Sequence, residues 1–392
     1  MKKWIQFLCI MGCCLFVSPH VLASTEQANT DKQQFNAYES LIEDSELQSY
    51  WDQLGDEYQH VFPEMDKADI WSMIRNEDGL SLESWFQGVL RYLFYELIEN
   101  GKLLATLILL TLFCLLLQTI QNAFEKQMVS KIAYAVVYMM LIIISLKSFH
   151  LAATYVTDTV DLAKNFLIAL LPLMLGLLAS LGNLLTISFF HPIIIFLIHT
   201  SVLIISNVVI PMFLISAILQ IVSTISQEYK ATKLANLIKN IAIGILGVML
   251  TVFLGVISVQ GAASAIQDGI AMRTAKFVTG NFIPVIGRIF TDATDTVLSA
   301  TMIIKNGIGL VGVVILIAIV LFPALKIFVL ALIYKIATAV LQPIGDGPVI
   351  ECMEIVGKHI LYLFAALLMV TFMFFFTIVI LIISSNLTMM VR

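Results

Sequence analysis

Seven long apolar runs follow one another along the chain from residue 103 onward. Each run is long enough to cross about 30 Å of hydrocarbon as a helix rising about 1.5 Å per residue. The runs cover residues 103–120, 132–149, 166–187, 193–224, 241–259, 307–334 and 360–383. This pattern predicts an all-α polytopic membrane protein with six to seven transmembrane helices and re-entrant or amphipathic segments between them.

The composition supports the membrane class. Hydrophobic residues make up 59% of the chain and charged residues 12%, whereas a soluble domain carries about 25% charged residues. The charges are also unevenly placed: residues 24–101 hold 17 Asp and Glu against 4 Lys and Arg, and residues 102–392 hold 10 against 16. We therefore expect the two parts to occupy different solvents.

Loop charges predict the topology of the spans. The polar loops at residues 121–131 and 226–239 are short and lysine-bearing, which favours the cytosol for both. If both loops lie in the cytosol, the chain must cross the membrane an odd number of times between Lys164 and Glu228. We therefore predict that residues 166–187, which Pro172 and two glycines interrupt, enter and leave the membrane on one side. The alternative is that all seven runs cross the membrane. One of the lysine-bearing loops then lies outside the cytosol, against the usual preference of positively charged loops for the cytosolic side.

The first 101 residues predict a leader followed by a small acidic region. Lys2 and Lys3, an apolar run and the small-residue site ending at Ala23 are typical of a cleaved signal peptide over residues 1–23. An uncleaved anchor is the alternative. Residues 24–101 then form an acidic helical region outside the cytosol. Its last helix, near residues 81–100, carries an apolar aromatic stripe that suits the membrane interface, or else packs in a small soluble bundle.

A weak internal repeat is visible in the membrane part. The segments AKNFLIALLPLMLG (163–176) and AKFVTGNFIPVIG (275–287) both place Ala-Lys before a proline and a following glycine. A fainter copy begins at residue 355. These matches suggest three units near residues 103–187, 193–306 and 307–392 within the transmembrane domain, residues 102–392.

Polar residues interrupt the apolar sequence at two places and mark the candidate functional positions. Read as a helix, residues 288–305 place Arg288, Asp292 and Asp295 on one stripe, and Pro284 and Gly287 break the backbone before it. We interpret this segment as an amphipathic element that lines a pathway, contacts a partner or lies on the surface between two spans. The candidate residues are Asp158, Asp161, Lys164, Pro172, Pro284, Gly287, Arg288, Asp292, Asp295 and Lys305.

Motifs for catalysis, nucleotide phosphates and metals are missing from the sequence. We therefore expect no enzyme activity, no cofactor and no metal site. Cys114 and Cys352, the cysteines left after signal cleavage, lie far apart in apolar and polar surroundings and suggest no disulfide framework.

The chain resembles the stage III sporulation protein AE family of endospore-forming bacteria over nearly its whole length. The resemblance is carried by KFVTGNFIPVIG and DATDTVLSATMIIKNGIGLVG around the polar stretch, by WFQGVLRYLFYELIENGKLLATLILL, and by LQPIGDGP before the last spans.

The resemblance implies a non-enzymatic subunit of the channel that joins mother cell and forespore during engulfment, an assembly similar to specialised secretion systems. The implied partners are the cytosolic ATPase AA, the membrane proteins AB, AC and AD, the ring-forming proteins AF, AG and AH, and the forespore channel partner. Membrane lipid is expected as a further partner and nucleic acid is not. The resemblance also implies a location in the mother-cell membrane around the forespore. The alternative function is an independent permease for a small solute, with its site near Pro172 and Pro284.

Overall fold

The structure is a computed structural model that describes residues 49–50, 52–53, 82–123, 128–225, 230–282, 286–345 and 347–391, in a few helical stretches by the backbone alone. The chain divides into two compact units, Met1–Asp44 and Ser45–Arg392, and the described residues all belong to the second. The predicted signal peptide and most of the predicted acidic region lie outside the described residues.

The described residues are almost entirely helical. A short helix precedes the membrane part, and the helices of the membrane part follow with brief connections. They are α1 (Leu82–Glu99), α2 (Gly101–Ala123), α3 (Met128–Ser180), α4 (Leu184–Ile204), a π-helix (Ile205–Val209), α5 (Ile210–Ile225), α6 (Thr232–Phe282), α7 (Ile286–Leu341) and α8 (Pro348–Val391).

Six of these helical segments in the described part of the chain are long and apolar enough to cross a membrane. They are α2, α3, the continuous α4–α5 unit with its π-helix, α6, α7 and α8. The prediction of an all-α polytopic membrane protein with six to seven spans is therefore confirmed. Backbone groups within hydrocarbon must be paired internally, and a helix pairs them within its own segment.

Residues 166–187, the predicted re-entrant segment, do not form a separate element. The structure joins the runs 132–149 and 166–180 into the single 53-residue helix α3. No proline or glycine lies between Met128 and Pro172 to end the helix. Pro172 removes one main-chain hydrogen bond but lies on an exposed face of α3, where the helix continues past it. One crossing, α4–α5, then remains between residue 180 and the loop at residues 226–231.

The polar stretch at residues 288–305 is helical, as predicted, but it is not a separate element. It forms the first part of α7, which runs without interruption from Ile286 to Leu341. Pro284 lies outside the described residues. The sequence after it holds no proline until Pro323, so the helix that begins at Ile286 continues into the apolar run.

The π-helix between α4 and α5 has a local cause. Pro211 lacks an N–H, so one carbonyl in the preceding turn loses its usual helical partner. The N–H of Ile210 donates to the carbonyl of Ile205, five residues back, and the turn widens there. The chain nevertheless continues in one direction, so α4 and α5 act as one span.

The six spans form three consecutive hairpins: α2 with α3, α4–α5 with α6, and α7 with α8. The ends of α2, α5 and α7 and the beginnings of α3, α6 and α8 lie at one end of the bundle, which we call the loop end. The connection from α3 to α4 lies at the far end. The repeat suggested by the sequence stays a prediction, and its proposed boundary at residues 306–307 falls inside α7.

Helix α7 forms the centre of the bundle, with two thirds of its most apolar stretch buried. Close packing requires glycine at three contacts with its neighbours. A Cβ added to Gly309 would lie 2.5 Å from Ile382 of α8, one on Gly312 would lie 2.8 Å from Leu170 of α3, and one on Gly357 would lie 3.0 Å from the Cβ of Tyr334. At these contacts α7 packs closely against α3 and α8.

Helix α1 packs beside the bundle before the first span. The ring of Tyr92 contacts Phe322 of α7 edge to face, with ring centroids 5.1 Å apart. The opposite side of α1 exposes Phe86, Phe94 and Ile98. An exposed aromatic stripe directly before a span is the pattern expected of a helix at the membrane interface.

Candidate functional site

A large polar pocket opens at the loop end of the bundle. Its volume is about 1050 Å³, at the upper end of the range of about 300–1,000 Å³ that is typical of sites for small molecules. The ends of α5 and α7 and the beginnings of α6 and α8 form its walls. The lining residues are Ser223, Thr224, Lys230, Thr232, Lys335, Thr338, Ala339, Gln342, Gly347, Pro348, Ile350, Glu351, Glu354 and Lys358.

Charges of both signs line this loop-end pocket. Lys230, Lys335 and Lys358 face Glu351 and Glu354, and all five side chains are exposed. Lys358 is paired with Glu354 one turn earlier on α8. Because an exposed ion pair of this kind contributes only about 0–1 kcal/mol, both side chains are free to exchange it for a charged group of a ligand.

Tyr138 of α3 is buried beside the pocket and contacts two of the lining residues. Its hydroxyl lies 2.6 Å from the Thr224 hydroxyl on α5 and donates to the Pro348 carbonyl at the start of α8, 3.2 Å away. Three hairpins are thus joined at one buried phenol. The glycine before Pro348 also allows a close approach: a Cβ on Gly347 would lie 3.1 Å from the Gln118 amide of α2.

A second buried polar contact lies just behind the pocket. The Ser216 hydroxyl lies 2.9 Å from the Ala235 carbonyl and 3.1 Å from Nε2 of His359. Nδ1 of His359 lies 2.8 Å from the Ile355 carbonyl. Because a carbonyl only accepts, the proton of the neutral ring belongs on Nδ1, which donates to the Ile355 carbonyl, and the single hydroxyl proton of Ser216 is donated to the Ala235 carbonyl. This contact joins α5, α6 and α8.

The geometry of the loop-end pocket suits the binding of a polar group. The described residues hold no group of three or more His, Cys, Asp and Glu side chains placed to bind a metal ion. The buried His359 has a structural role, since its Nδ1 contacts a main-chain carbonyl and its Nε2 contacts a serine hydroxyl. Its mixed charges and several hydroxyl groups can form hydrogen bonds and ion pairs with a polar ligand.

The sequence-predicted candidates on α3 lie away from this pocket. Lys164 forms an ion pair with Asp161 of the preceding turn, with Nζ 2.6 Å from Oδ1. Asp158 is exposed on the same helix, as is Pro172. These residues occupy the half of α3 nearer the far end, so the structure does not bring them together with the loop-end pocket.

The candidates on α7 divide into two groups. The backbone of Gly287, Arg288, Asp292 and Asp295 is helical, but their side chains lie outside the described part of the structure, as does Pro284 entirely. Lys305 is described and is fully buried.

The surroundings of Lys305 link α7 to two other helices. Its Nζ donates to the Ile382 carbonyl of α8, 2.7 Å away. Gly309 lies one helical turn further on and faces Ile382. A Cβ added to Gly309 would also lie 3.4 Å from the methyl group of Met174 on α3. The structure thus packs the α3 segment that contains Pro172 against α7 at Gly309, one helical turn from Lys305.

Sequence reasoning missed the loop-end pocket because its residues come from four helix termini that are distant in the chain. A signal was nevertheless present: polar and charged residues gather at residues 223–233, 335–342 and 347–358, at the ends of apolar runs. Reading these termini together would have predicted a polar surface where they meet.

Comparison with known proteins identifies the family. The model of the family "Stage III sporulation protein AE" matches residues 65–385 of the chain. A curated relative, stage III sporulation protein AE of Bacillus subtilis (strain 168), is 51% identical over 367 residues, which cover 94% of this chain and 92% of the relative. No solved structure matches the chain. With its family profile and this degree of identity, the six-span helical chain belongs to the stage III sporulation protein AE family.

Proposed function

We propose that this chain is a non-enzymatic membrane subunit of the channel that joins mother cell and forespore during engulfment. It resides in the mother-cell membrane around the forespore and serves as a platform to which the other subunits bind. Membership of a sporulation protein family supports the sporulation role. The single structural observation that carries the platform role is the open polar pocket built from the termini of four helices.

The position of the pocket favours a protein partner. Because its walls come from different hairpins, a partner bound there fixes the hairpins relative to one another. A solute carrier instead places its site near the middle of the bilayer, between broken helices. The loop-end pocket lies where the spans end, and its exposed lysines and glutamates suit a polar segment of a soluble protein.

Charge also supports an orientation. Exposed lysines at the loop end include Lys131, Lys230, Lys233, Lys335 and Lys358. Positively charged residues beside spans favour the cytosolic side, so the loop end faces the mother-cell cytosol. The region before α2 then lies outside the cytosol, where its acidic residues are available to the ring-forming proteins AF, AG and AH. The cytosolic ATPase AA is the partner on the other side, and AB, AC, AD and the forespore channel partner complete the proposed assembly.

The test exchanges the charge of a pocket lysine and measures partner capture. Lys230→Glu changes a lining residue, and Lys233→Glu changes an exposed lysine of the same loop region that does not line the pocket. Each tagged full-length chain replaces the native copy in sporulating cells and is purified from membranes. We expect Lys230→Glu to lose cytosolic AA while Lys233→Glu retains it, with equal amounts of both chains in the membrane.

Equal retention of AA by both variants contradicts docking at the pocket. Reconstitution of the chain alone into vesicles addresses the permease function. A platform subunit leaves the vesicles closed to small solutes, whereas solute uptake by the chain without partners overturns the proposal.

A further inference from the structure

Two of the three lysines that line the loop-end pocket form no ion pair with the residues that the structure describes. The third, Lys358, is paired with Glu354 of the same helix. Lys230 and Lys335 have no carboxylate oxygen within ion-pair distance in that part of the chain. Both side chains are exposed and line the pocket. Two ammonium groups in one concave site are therefore free to bind a ligand.

The carboxylates of the lining leave the pocket with a positive balance. Glu354 is neutralised by its pair with Lys358. Glu351 lies in the first turn of α8, where a carboxylate interacts favourably with the positive end of the helix. Helix α6 also begins at the pocket, and its first turn holds no acidic residue. The positive end of α6 thus adds to the charge of the two unpaired lysines.

Hydroxyl groups of the lining are partly engaged by the main chain. The Ser223 hydroxyl donates to the Leu219 carbonyl, 2.8 Å away. The Thr338 hydroxyl lies 3.0 Å from the Tyr334 carbonyl and 2.9 Å from that of Lys335. Each hydroxyl has a single proton, so neither group has one left for a ligand, whereas an ammonium group has three. The charged donors call for an acceptor, and a carboxylate only accepts.

The two unpaired lysines differ from ordinary lysines at the end of a span. Lysines commonly lie at the cytosolic ends of transmembrane helices, so a lysine alone does not indicate a ligand. Lys131 and Lys233 are of this kind, since they are exposed at the loop end but do not line the pocket. Lys230 precedes α6 and Lys335 lies on α7, so the two come from different hairpins and share one cavity. A ligand that contacts both joins these hairpins.

Carboxylate side chains of a protein fit this lining better than a phosphate group does. Arginine is over-represented where proteins bind phosphate, because its planar group forms two parallel hydrogen bonds. The described lining holds lysines and no arginine. A phosphate group would also fill only a small part of a pocket of about 1050 Å³. Several residues of an extended segment use that space and can place separate carboxylates near separate lysines.

We propose that the loop-end pocket receives an acidic segment of its protein partner, with Asp or Glu side chains bound by Lys230 and Lys335. The inference rests on the proposed function, in which a segment of a soluble protein occupies this pocket. It adds the sign of the charge on that segment and the two residues that recognise it.

Neutral variants of the tagged full-length chain test the sign, with capture of the cytosolic ATPase AA from sporulating cells as the measurement. Lys230→Gln with Lys335→Gln removes both ammonium groups. Lys131→Gln with Lys233→Gln is the matched control, because it removes two exposed lysines of the loop end outside the pocket. Each exposed ion pair contributes up to about fivefold in affinity. We expect about tenfold less AA on the pocket variant and the parent amount on the control.

A glutamate variant separates the failure of this inference from that of the proposed function. Glu351→Gln with Glu354→Gln should keep or raise the amount of captured AA, because it removes charges that repel an acidic segment. If this variant loses AA while the lysine variant keeps it, the segment is basic, and the inference is overturned although the proposed function stands. Equal capture by all variants overturns both.

A direct probe does not require AA. The purified chain in nanodiscs of neutral lipid is titrated with a fluorescent hexaglutamate peptide and, separately, with hexalysine. We expect hexaglutamate to bind, and to bind about tenfold more weakly to the chain with Lys230→Gln and Lys335→Gln. Its binding should also weaken as salt rises from about 0.15 M to about 1 M, because the screening length falls from about 8 Å to about 3 Å.

Two results of these binding measurements contradict the inference. Binding of hexalysine and not of hexaglutamate assigns the pocket to basic segments. An anionic lipid that native mass spectrometry finds on the parent chain, but not on the lysine variant, assigns the two ammonium groups to a lipid headgroup.

Discussion

Lys305 of α7 is completely buried and donates a hydrogen bond from Nζ to the main-chain carbonyl of Ile382 on α8, 2.7 Å away. The bond joins two antiparallel helices through residues that are 77 positions apart in the chain. Burying an ammonium group is costly unless its protons are bonded. The long side chain therefore fills space between the helices and at the same time fixes their relative position.

We expect Lys305→Ala to destabilise the protein by about 2–4 kcal/mol, because it removes the bond and leaves a cavity. Lys305→Met fills nearly the same space without the desolvation cost of a charge, and its change should stay below about 1 kcal/mol. Thermal unfolding of the purified chain in detergent, followed by loss of helical signal, measures both. Equal destabilisation by the two variants would show that the charge, and not the packed volume, is what matters at this position.

A second prediction concerns the contact between α7 and α8 nearer the loop end. A Cβ on Gly357 would lie 3.0 Å from the Cβ of Tyr334 and 3.6 Å from the Ala331 carbonyl. Neither neighbour is the end of a flexible chain, so Gly357→Ala must move the two helices apart. We expect a loss of about 1–3 kcal/mol in the free energy of unfolding.

The matched control is Gly176→Ala on α3, where an added Cβ meets nothing within 4 Å. Alanine is a better helix former than glycine by about 1 kcal/mol. This variant should therefore be unchanged or slightly stabilised in the same thermal measurement. A Gly357→Ala chain as stable as Gly176→Ala would contradict the close packing of α7 on α8.

The third prediction tests the phenol that joins three hairpins below the loop-end pocket. Tyr138→Phe removes the hydroxyl that contacts Thr224 and Pro348, and we expect a cost of about 1–2 kcal/mol. Thr224→Val removes the partner. The double variant should cost less than the sum of the single variants, by about 0.5 kcal/mol or more, since both remove one shared hydrogen bond.

Chemical denaturation of the four chains in one detergent gives the coupling energy. Tyr134→Phe, one turn earlier on the same helix and in ring contact with Tyr138, serves as the control for losing a phenol hydroxyl. Additive effects of Tyr138→Phe and Thr224→Val would place the tyrosine hydroxyl elsewhere than between the hairpins.

The hydrophobic pattern predicted the helical membrane class and all the spans, because hydrocarbon imposes apolar runs of fixed minimum length. It did not predict where helices join. The runs 132–149 and 166–187 are separated by polar residues including Asp158, Asp161 and Lys164, and we expected a separate element after them. Nothing in that interval breaks a helix, so α3 continues through it with those residues on its surface or paired.

The candidate site shows the same limit. Lys305 was identified as one polar residue among several, but its burial depends on α8, which lies far along the chain. The loop-end pocket requires four helix termini to meet, and no local pattern encodes that meeting. Loop charge alone grouped the α2–α3 turn with the α5–α6 turn, and the structure places the adjoining helix ends at the same end of the bundle.

The most direct test of the proposed platform is which side of the membrane the loop-end pocket faces. Thr232→Cys places a thiol in the pocket, and Asp158→Cys places one on the exposed far half of α3. Both are treated in intact cells with a thiol reagent that does not cross membranes. The proposal predicts that Asp158→Cys reacts from outside and that Thr232→Cys reacts only after the cells are opened. Labelling of Thr232→Cys in intact cells would place the pocket outside the cytosol and contradict its role in binding a cytosolic subunit.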